Sequence, residues 1–481
     1  MSRLLSYMSR RSSVDFVGKH LRVVPGHRRF RLPRNMLSGR TPGPSDPRRC
    51  RVWPAREFAS STVPESPPRS GPRRERPVRL RRHVAEAALR FCSSQSRQLV
   101  LGARSPLSDP GGILTCVPDP SDAGLGRWHL NRPAVYLDQW VWVSLTRAAK
   151  RRPQQPSHAL LLDACHAAAA DGVAFPLSST HYFELQRTKD PRQRFDVADV
   201  MAPISSWRTL RSRRDLVKHQ MRTVLHEQLG RPAFRPAPVK VLGRGVAWAF
   251  MGGEMPLRVS GPDDPVTEDE QPGLAAVLRA ASQYAEYHFL AGPRDEDVEA
   301  LRALGYRPEV TAASSQSRLD FETFLATSLT TAPVSARELR VYLVARELVH
   351  EYLEPFNELT AEYRISLGRD LGFDPEVPGA GRAKMMGFAE AVPTLKLSVD
   401  LKYGLFRDQN RTWTLNHLSD VDAVAVAAPY CRVVVTDADV ASRARHTKAA
   451  QNLGTVITAD VEEVLNLLPA LAAEARQIGG F

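Results

Sequence analysis

Four short stretches, far apart in the chain, each carry an acid where a strand should end or a helix should begin. They are Val135-Tyr-Leu-Asp138, Ser178-Ser-Thr-His-Tyr-Phe-Glu184, Asn416-His-Leu-Ser-Asp420-Val-Asp422 and Val433-Val-Val-Thr-Asp437-Ala-Asp439. A carboxylate in such a place is costly to bury unless a cation neutralises it, and a divalent metal is the usual partner. An all-oxygen donor set suits Mg²⁺ or Mn²⁺, which keep several waters and need only one or two direct carboxylates each. Two such ions, about 3.5–4 Å apart, activate water and stabilise the leaving oxygen of a phosphodiester. The set of acids therefore points to metal-assisted phosphodiester hydrolysis, which no single motif would establish.

Each motif has a plainer reading beside the chemical one. Asp138 follows an apolar strand, which puts it at the carboxyl edge of a parallel sheet, where α/β folds bind ligands; it also suits a cap of the next turn. Glu184 lies one helical turn beyond its cap, on the face of Thr180 and beside His181. His181 to Glu184 also has the spacing of a capping box. Asp420 and Asp422 are read as opening an apolar helix that ends at Pro429, where acids gain from the helix dipole, with Asn416 or Ser419 as cap. Asp437 and Asp439 follow the apolar strand Arg432–Thr436 directly.

Around these acids stand residues suited to a polyanion. Lys402, Arg407 and Arg411 precede the third cluster and could grip a phosphate backbone, or line a solvated helix face. Arg192 and Arg194 face the same choice. His181 could touch substrate or make a local hydrogen bond. Trp140, Trp142 and Trp413 could stack on bases, although aromatics beside strands and helices usually pack in the core. Gly243-Arg-Gly245 and Gly252-Gly253 are not phosphate loops, since no Gly-Lys-Ser/Thr follows. Ser and Cys nucleophile signatures are absent.

The elements that must position these groups follow from hydrophobic pattern. Ala134–Asp138 reads as a strand, Ser157–Ala170 as a helix, Val173–Leu177 as a second strand, and Ser178-Ser179-Thr180 as the cap of a helix carrying Glu184. This β-α-β-α opening favours a parallel sheet. From about 191 to 411 the pattern is mostly helical, with long amphipathic stretches at Arg194–Leu229 and Ser335–Leu371. The Pro/Gly-rich stretch 230–273 is too long for a loop inside a compact domain, which predicts an inserted helical subdomain. Beyond it come a helix at Asp420–Ala428, a strand at Arg432–Thr436, a helix at Val440–Ala450, a strand at Thr455–Thr458 and a helix at Asp460–Leu471.

Charge divides the chain in two. Residues 1–130 hold 25 Lys/Arg against 9 Asp/Glu, and residues 131–481 hold 41 against 43, so the net +14 belongs entirely to the leader. Global charge is therefore no argument for nucleic-acid binding by the remainder. The Arg/Pro/Ser-rich leader cannot bury enough surface to offset chain entropy and is expected to be disordered. A basic arm for RNA, a transit-type presequence and a start site assigned too far upstream all fit it, the last best. Five scattered cysteines without CxxC pairs suit a reducing cytoplasm rather than a disulfide framework or a zinc site. No apolar run of roughly 18 residues exists to span a membrane.

The order of these acids resembles the PIN domain family of metal-dependent ribonucleases, and more closely its bacterial PIN-like members with a long helical insertion. Their Leu-Ser-x-x-His-Tyr-x-Glu stretch is similar to Leu177–Glu184. Their Asn-Asp-x-x-Asp-x-Asp and Pro-Tyr-Cys-x-Val-x-Val-Thr-Asp blocks are similar to Asn416–Asp422 and Pro429–Asp437. His417 departs from the Asp expected there. The resemblance implies a three-layer α/β/α domain with a central parallel sheet, discontinuous over 131–190 and 395–475 and interrupted by a helical insertion over 191–394. It implies catalytic metal ligands at Asp138, Glu184, Asp420 and Asp437, with Asp422 and Asp439 as further ligands or substitutes, and Mg²⁺ or Mn²⁺ as cofactor. Hydrolysis would proceed by in-line attack of water on phosphorus and departure of the 3′ oxygen. RNA is the implied partner. A homo-oligomer and a protein partner held through the insertion are also compatible with the sequence. A non-catalytic binding module and a DNase or other phosphohydrolase on the same acids are the competing expectations.

Overall fold

In the computed structural model the described residues are 128, 130–229, 237–254, 274–303, 306–331, 334–366, 378–408 and 411–478. Apart from Trp128 and Leu130, the leader lies outside them, as do Cys50, Cys92 and Cys116.

The architecture is mostly helical around a small parallel sheet. Strands β1 (Val135–Leu137), β4 (Val433–Val435) and β5 (Val456–Thr458) run in the order β1-β4-β5, with Leu137 opposite Val435 and Val435 opposite Thr458. These runs of Val, Ile, Leu and Tyr are buried on both faces, as central parallel strands require. Val135, Leu137, Val433 and Val435 face one hydrophobic core, while Tyr136, Val434 and Ile457 face another. Alternation along the pleat thus points the strand side chains into two cores.

The first core draws on α1 (Gln139–Ala149), α2 (Pro156–Ala170), α3 (Ser179–Arg187), α4 (Pro191–Ser205) and the C-terminal helix Val461–Ile478. The second contains α5 (Arg213–Gln228), which packs with the later helices described below. The expected strand at Val173–Leu177 is reduced to single bridges, Ala134 with Ala174 and Leu177 with Thr209. Pro176 lacks the N–H that a continuous ladder would need.

The long helix expected over 194–229 is broken. Ser206 and Trp207 adopt φ of +49° and +60°, and the chain turns into β2 (Arg208–Leu210), paired antiparallel with β3 (Leu242–Arg244). After β3 come α6 (Gly245–Met251), α7 (Leu274–Ala291), α8 (Val298–Ala303) and α9 (Pro308–Thr331). The stretch expected over 335–371 is α10 (Ala336–Arg346), a π-helical turn at Glu347–Glu351 and α11 (Leu353–Glu362). Then follow α12 (Pro378–Ala391), α13 (Pro393–Phe406) and α14 (Leu415–Ala427). The helix expected at Val440–Ala450 is two, α15 (Ala438–Arg445) and α16 (Lys448–Leu453), before the C-terminal α17 (Val461–Ile478). Helices between residues 191 and 394 contribute side chains to both cores, so they pack as part of the same body as the sheet.

A buried ion network ties α5, α9, α10 and the π turn to α13 and α14. Lys402, fully buried, donates to Glu322 and Glu347 at 2.7 Å each. Arg346 pairs with Glu322, Glu347 and Glu351 at 2.7–2.8 Å, and Ser398 donates to Glu347. Arg213 and Arg318 both bridge Glu351 to Asp422. Breaking a buried pair by removing one partner costs about 3–5 kcal/mol, because the other charge stays buried. Lys402→Met is therefore expected to lower the urea unfolding free energy by about that much; a loss well under about 1 kcal/mol, the worth of a surface pair, would show the network to be dispensable.

Candidate active site

Adjacent parallel strands deliver the first two acids. Asp138 follows β1 and Asp437 lies two residues beyond β4. Each also caps the helix that comes next: Gln139 N–H donates to Asp138 Oδ1 (2.7 Å) and Val440 N–H to Asp437 Oδ1 (2.9 Å). Capping therefore occupies one oxygen of each carboxylate and leaves the other to face the sheet edge. Asp138 Oδ2 receives the Thr436 hydroxyl at 3.1 Å, which couples the two strand ends.

Glu184 is brought alongside by the start of α3. Ser178 caps that helix, and its N–H donates to His181 Nδ1 at 3.0 Å. With Nδ1 accepting, the ring proton sits on Nε2, which donates to the Leu137 carbonyl at 2.8 Å. His181 thereby pins the first turn of α3 to the residue preceding Asp138. Burial lowers its pKa to about 4, so the ring is neutral. The capping box is Ser178–His181, which frees Glu184 from any capping duty. Glu184 Oε2 is buried and without a hydrogen-bond partner, while Ser419 donates to the side chain.

Asp420 completes the group from α14. That helix starts earlier than its sequence suggests, because Thr414 is its cap and His417 accepts the Thr414 N–H at 3.2 Å. Asp420 therefore lies in the second turn, too far along for a cap. The departure at His417 has a structural use, since its imidazole closes this capping box and also meets Arg411 (3.3 Å). Asp420 hydrogen-bonds Asp437 and feels the charges of Asp138 and Glu184.

Burial, reinforced by mutual repulsion, raises the proton affinity of three of these acids. Burial, only partly offset by the Gln139 and Thr436 hydrogen bonds, raises Asp138 to about 6. Burial and then the Asp138 charge raise Glu184 to about 8. Burial, followed by Asp138, Asp437 and Glu184, raises Asp420 to about 9. Among the described residues no three His, Cys, Asp or Glu side chains stand in a ready metal-ligand arrangement. The Asp420–Asp437 hydrogen bond occupies oxygens that a cation would use, with a proton holding the acids together. An all-oxygen set containing a buried unpartnered carboxylate oxygen nonetheless fits a hard divalent ion, which would replace that proton.

Other expected site residues lie elsewhere. Asp422 is about 200° around the helix from Asp420; it binds Arg213 and Arg318, which hold its pKa down against burial. Asp439 pairs with Arg411 (2.8 Å) and Arg443 (3.0 Å) and is held low by them although burial opposes it. These acids already have cations and are not free ligands. Lys402 is sequestered in the buried network and His181 in the core, so neither can reach a substrate. Arg411 is engaged by Asp408 and Asp439, whereas Arg407 is exposed and stacks over Tyr403. Arg194 is buried and donates to the Thr188 and Ala291 carbonyls, while Arg192 is exposed. Trp142 and Trp413 are core residues. Sequence reasoning missed Arg187, one turn beyond Glu184 and donating to Ser419 at 3.1 Å; its i+3 spacing was the available signal. Arg213 and Arg318 carry no local signal.

Compared with family models, with curated proteins and with solved structures, the chain matches none. The geometry must therefore carry the functional argument.

The raised pKa values have a definite consequence for the metal-free protein. Asp138, Glu184 and Asp420 hold protons more tightly folded than unfolded. Through these three groups, the native chain binds more protons from about pH 4, the unfolded value, to about 9, the folded value of Asp420, and stability falls as pH rises. His181 and His219, lowered to about 4 by burial, act in the opposite sense up to about pH 6.5, so the decline belongs to the alkaline side. Thermal melts in chelator should show Tm decreasing from about pH 7 to about pH 9, with Asp420→Asn flattening the decline and raising Tm at the alkaline end. Parallel pH profiles for the two proteins would show that the acids do not repel one another.

Proposed function

We propose that this chain is a divalent-metal-dependent ribonuclease on a PIN-like α/β scaffold whose sheet is covered in part by a helical insertion between residues 191 and 394. The observation that carries this reading is the meeting of Asp138, Glu184, Asp420 and Asp437 at the carboxyl ends of two adjacent parallel strands. Three of the four arrive from elements separated by more than forty residues, and Glu184 keeps a buried oxygen with no protein partner. RNA as the substrate rests on the PIN resemblance alone, and the cytoplasm as its place on the scattered cysteines without CxxC pairs. No helix among the described residues is long and apolar enough to cross a membrane.

When bound, Mg²⁺ or Mn²⁺ supplies an activated water and neutralises the charge on the leaving 3′ oxygen. Asp138 would hold the ion with an orientation set by Thr436 and the Gln139 N–H. Asp437, tethered by its cap bond to Val440, presents its second oxygen from the neighbouring strand end. Glu184 and Asp420 would close the site from two helices, each holding the ion as a carboxylate in place of the proton it otherwise keeps. His181 keeps the first pair of acids in register by joining α3 to β1.

A second reading is a PIN-like scaffold that binds RNA or protein without cutting, favoured by the Asp420–Asp437 hydrogen bond, which stabilises the acids without metal. One experiment separates the two. Asn caps a helix as well as Asp does, so Asp138→Asn and Asp437→Asn should keep the fold while lowering Mn²⁺-dependent cleavage of single-stranded RNA by about 100-fold or more. A matched DNA oligonucleotide tests for a DNase. Equal cleavage by wild type and both variants in EDTA would remove the mechanism, and RNA bound but uncut in Mn²⁺ would select the second reading.

A further inference from the structure

Beside the acidic centre lies a cavity of about 250 Å³ between α3, α9 and α14, with Arg211 at the start of α5. Its floor on α14 carries Leu415, Leu418, Ser419 and Asp422, a face turned largely away from Asp420, with Ser419 nearest the acids. Its opposite wall is a polar stripe on α9. Thr311, Ser314, Ser315 and Arg318 follow i, i+3, i+4, i+7 spacing and so share one helical face. Ser178, Ser179 and Thr180 at the first turn of α3 form the third side.

Four arginines line this cavity against one acid, Asp422. Arg213 and Arg318 are held in place by Asp422 and Glu351. Two cations are less committed. Arg187 is exposed, donates to Ser419, and makes no ion pair among the described residues. Arg211 reaches Asp215 only at 3.5 Å and lies over the Trp248 ring, its Nε buried without a hydrogen bond. Ser419 connects the cavity to the acids, since it accepts from Arg187 and donates to Glu184.

We propose that this cavity seats backbone phosphates of a single RNA strand next to the bond presented to the acidic centre, with Arg187 and Arg211 as its phosphate contacts and the α9 hydroxyls as neutral donors. The proposal rests on the ribonuclease reading for the strand's identity but not for the binding itself. Fixed arginines and hydroxyls position a phosphate backbone without reading its sequence. The chain, near neutral over residues 131–481, thereby concentrates cationic groups where a polyanion would have to lie. The α9 wall also gives the helices between 191 and 394 a direct part in binding the substrate.

The test is fluorescence anisotropy of a labelled single-stranded RNA against the full chain in EDTA, where cleavage does not interfere. The Arg187→Ala/Arg211→Ala double variant should weaken binding about tenfold or more near physiological salt and reduce the slope of log affinity against log salt by about 1.4, at about 0.7 per lost phosphate contact. Ser314→Glu, an exposed change that disturbs no ion pair, should weaken binding in the same direction, and a circular dichroism melt checks that both variants fold. Unchanged affinity and salt slope in both variants, or no RNA binding by the wild type, would overturn the cavity as a substrate path. Binding that depends on these residues without cleavage in Mn²⁺ would leave the cavity standing and remove only the hydrolytic reading.

Discussion

Carboxylates that have to share a small, partly dry space constrain everything else in this structure. Burial, and then the charges of the neighbouring acids, raise the proton affinity of Asp138, Glu184 and Asp420, and the anionic forms coexist there only with a counter-charge. The fold brings them together regardless. Two adjacent strands supply two acids and two helices supply the others, and the surrounding hydrogen bonds hold this arrangement in place. His181 joins the end of β1 to the helix of Glu184, Thr436 couples the strand ends, and the two aspartates serve as caps with one oxygen each. Local stability and site geometry thus use the same residues.

A second electrostatic arrangement lies next to the first and has the opposite character. Glu322, Glu347, Glu351 and Asp422 are balanced by Arg213, Arg318, Arg346 and Lys402 in the core between α9, α10, α13 and α14. Each of its acids already faces a cation, although Glu322 Oε2 and Arg346 Nε have no hydrogen-bond partner, so the network holds helices in place. Asp420 and Asp422 show how closely the two arrangements meet. Two residues apart on α14, they face nearly opposite directions, one into the unsatisfied group and one into the balanced network. The proposed metal site uses the acids that form no ion pair among the described residues.

Much of this was legible in the sequence because it depends on local pattern. The apolar run before Asp437 and the strand before Asp138 identified the sheet edge, and the start of α3 was readable from Ser178. What the sequence hid depends on tertiary pairing. Asp422 and Asp439 look like ligands until Arg213, Arg318, Arg411 and Arg443 are seen to claim them. Lys402 looks like a phosphate contact until Glu322 and Glu347 enclose it. The misplaced start of α14 has a local cause. Thr414 and His417 form a capping box with an imidazole in the position where Glu or Gln is usual, so Asn416 and Ser419 seemed better caps. The break after α4 depends on left-handed backbone at Ser206 and Trp207, residues whose types do not announce it.

Repulsion among the acids, relieved by a cation, is most directly measured by titrating Mn²⁺ into the full chain calorimetrically at neutral pH in two buffers of different ionisation enthalpy. Saturable binding with proton release, visible as a buffer-dependent heat, is the result expected if Mn²⁺ displaces the protons held by Glu184 and Asp420. No saturable binding, or binding whose heat is the same in both buffers, would contradict it.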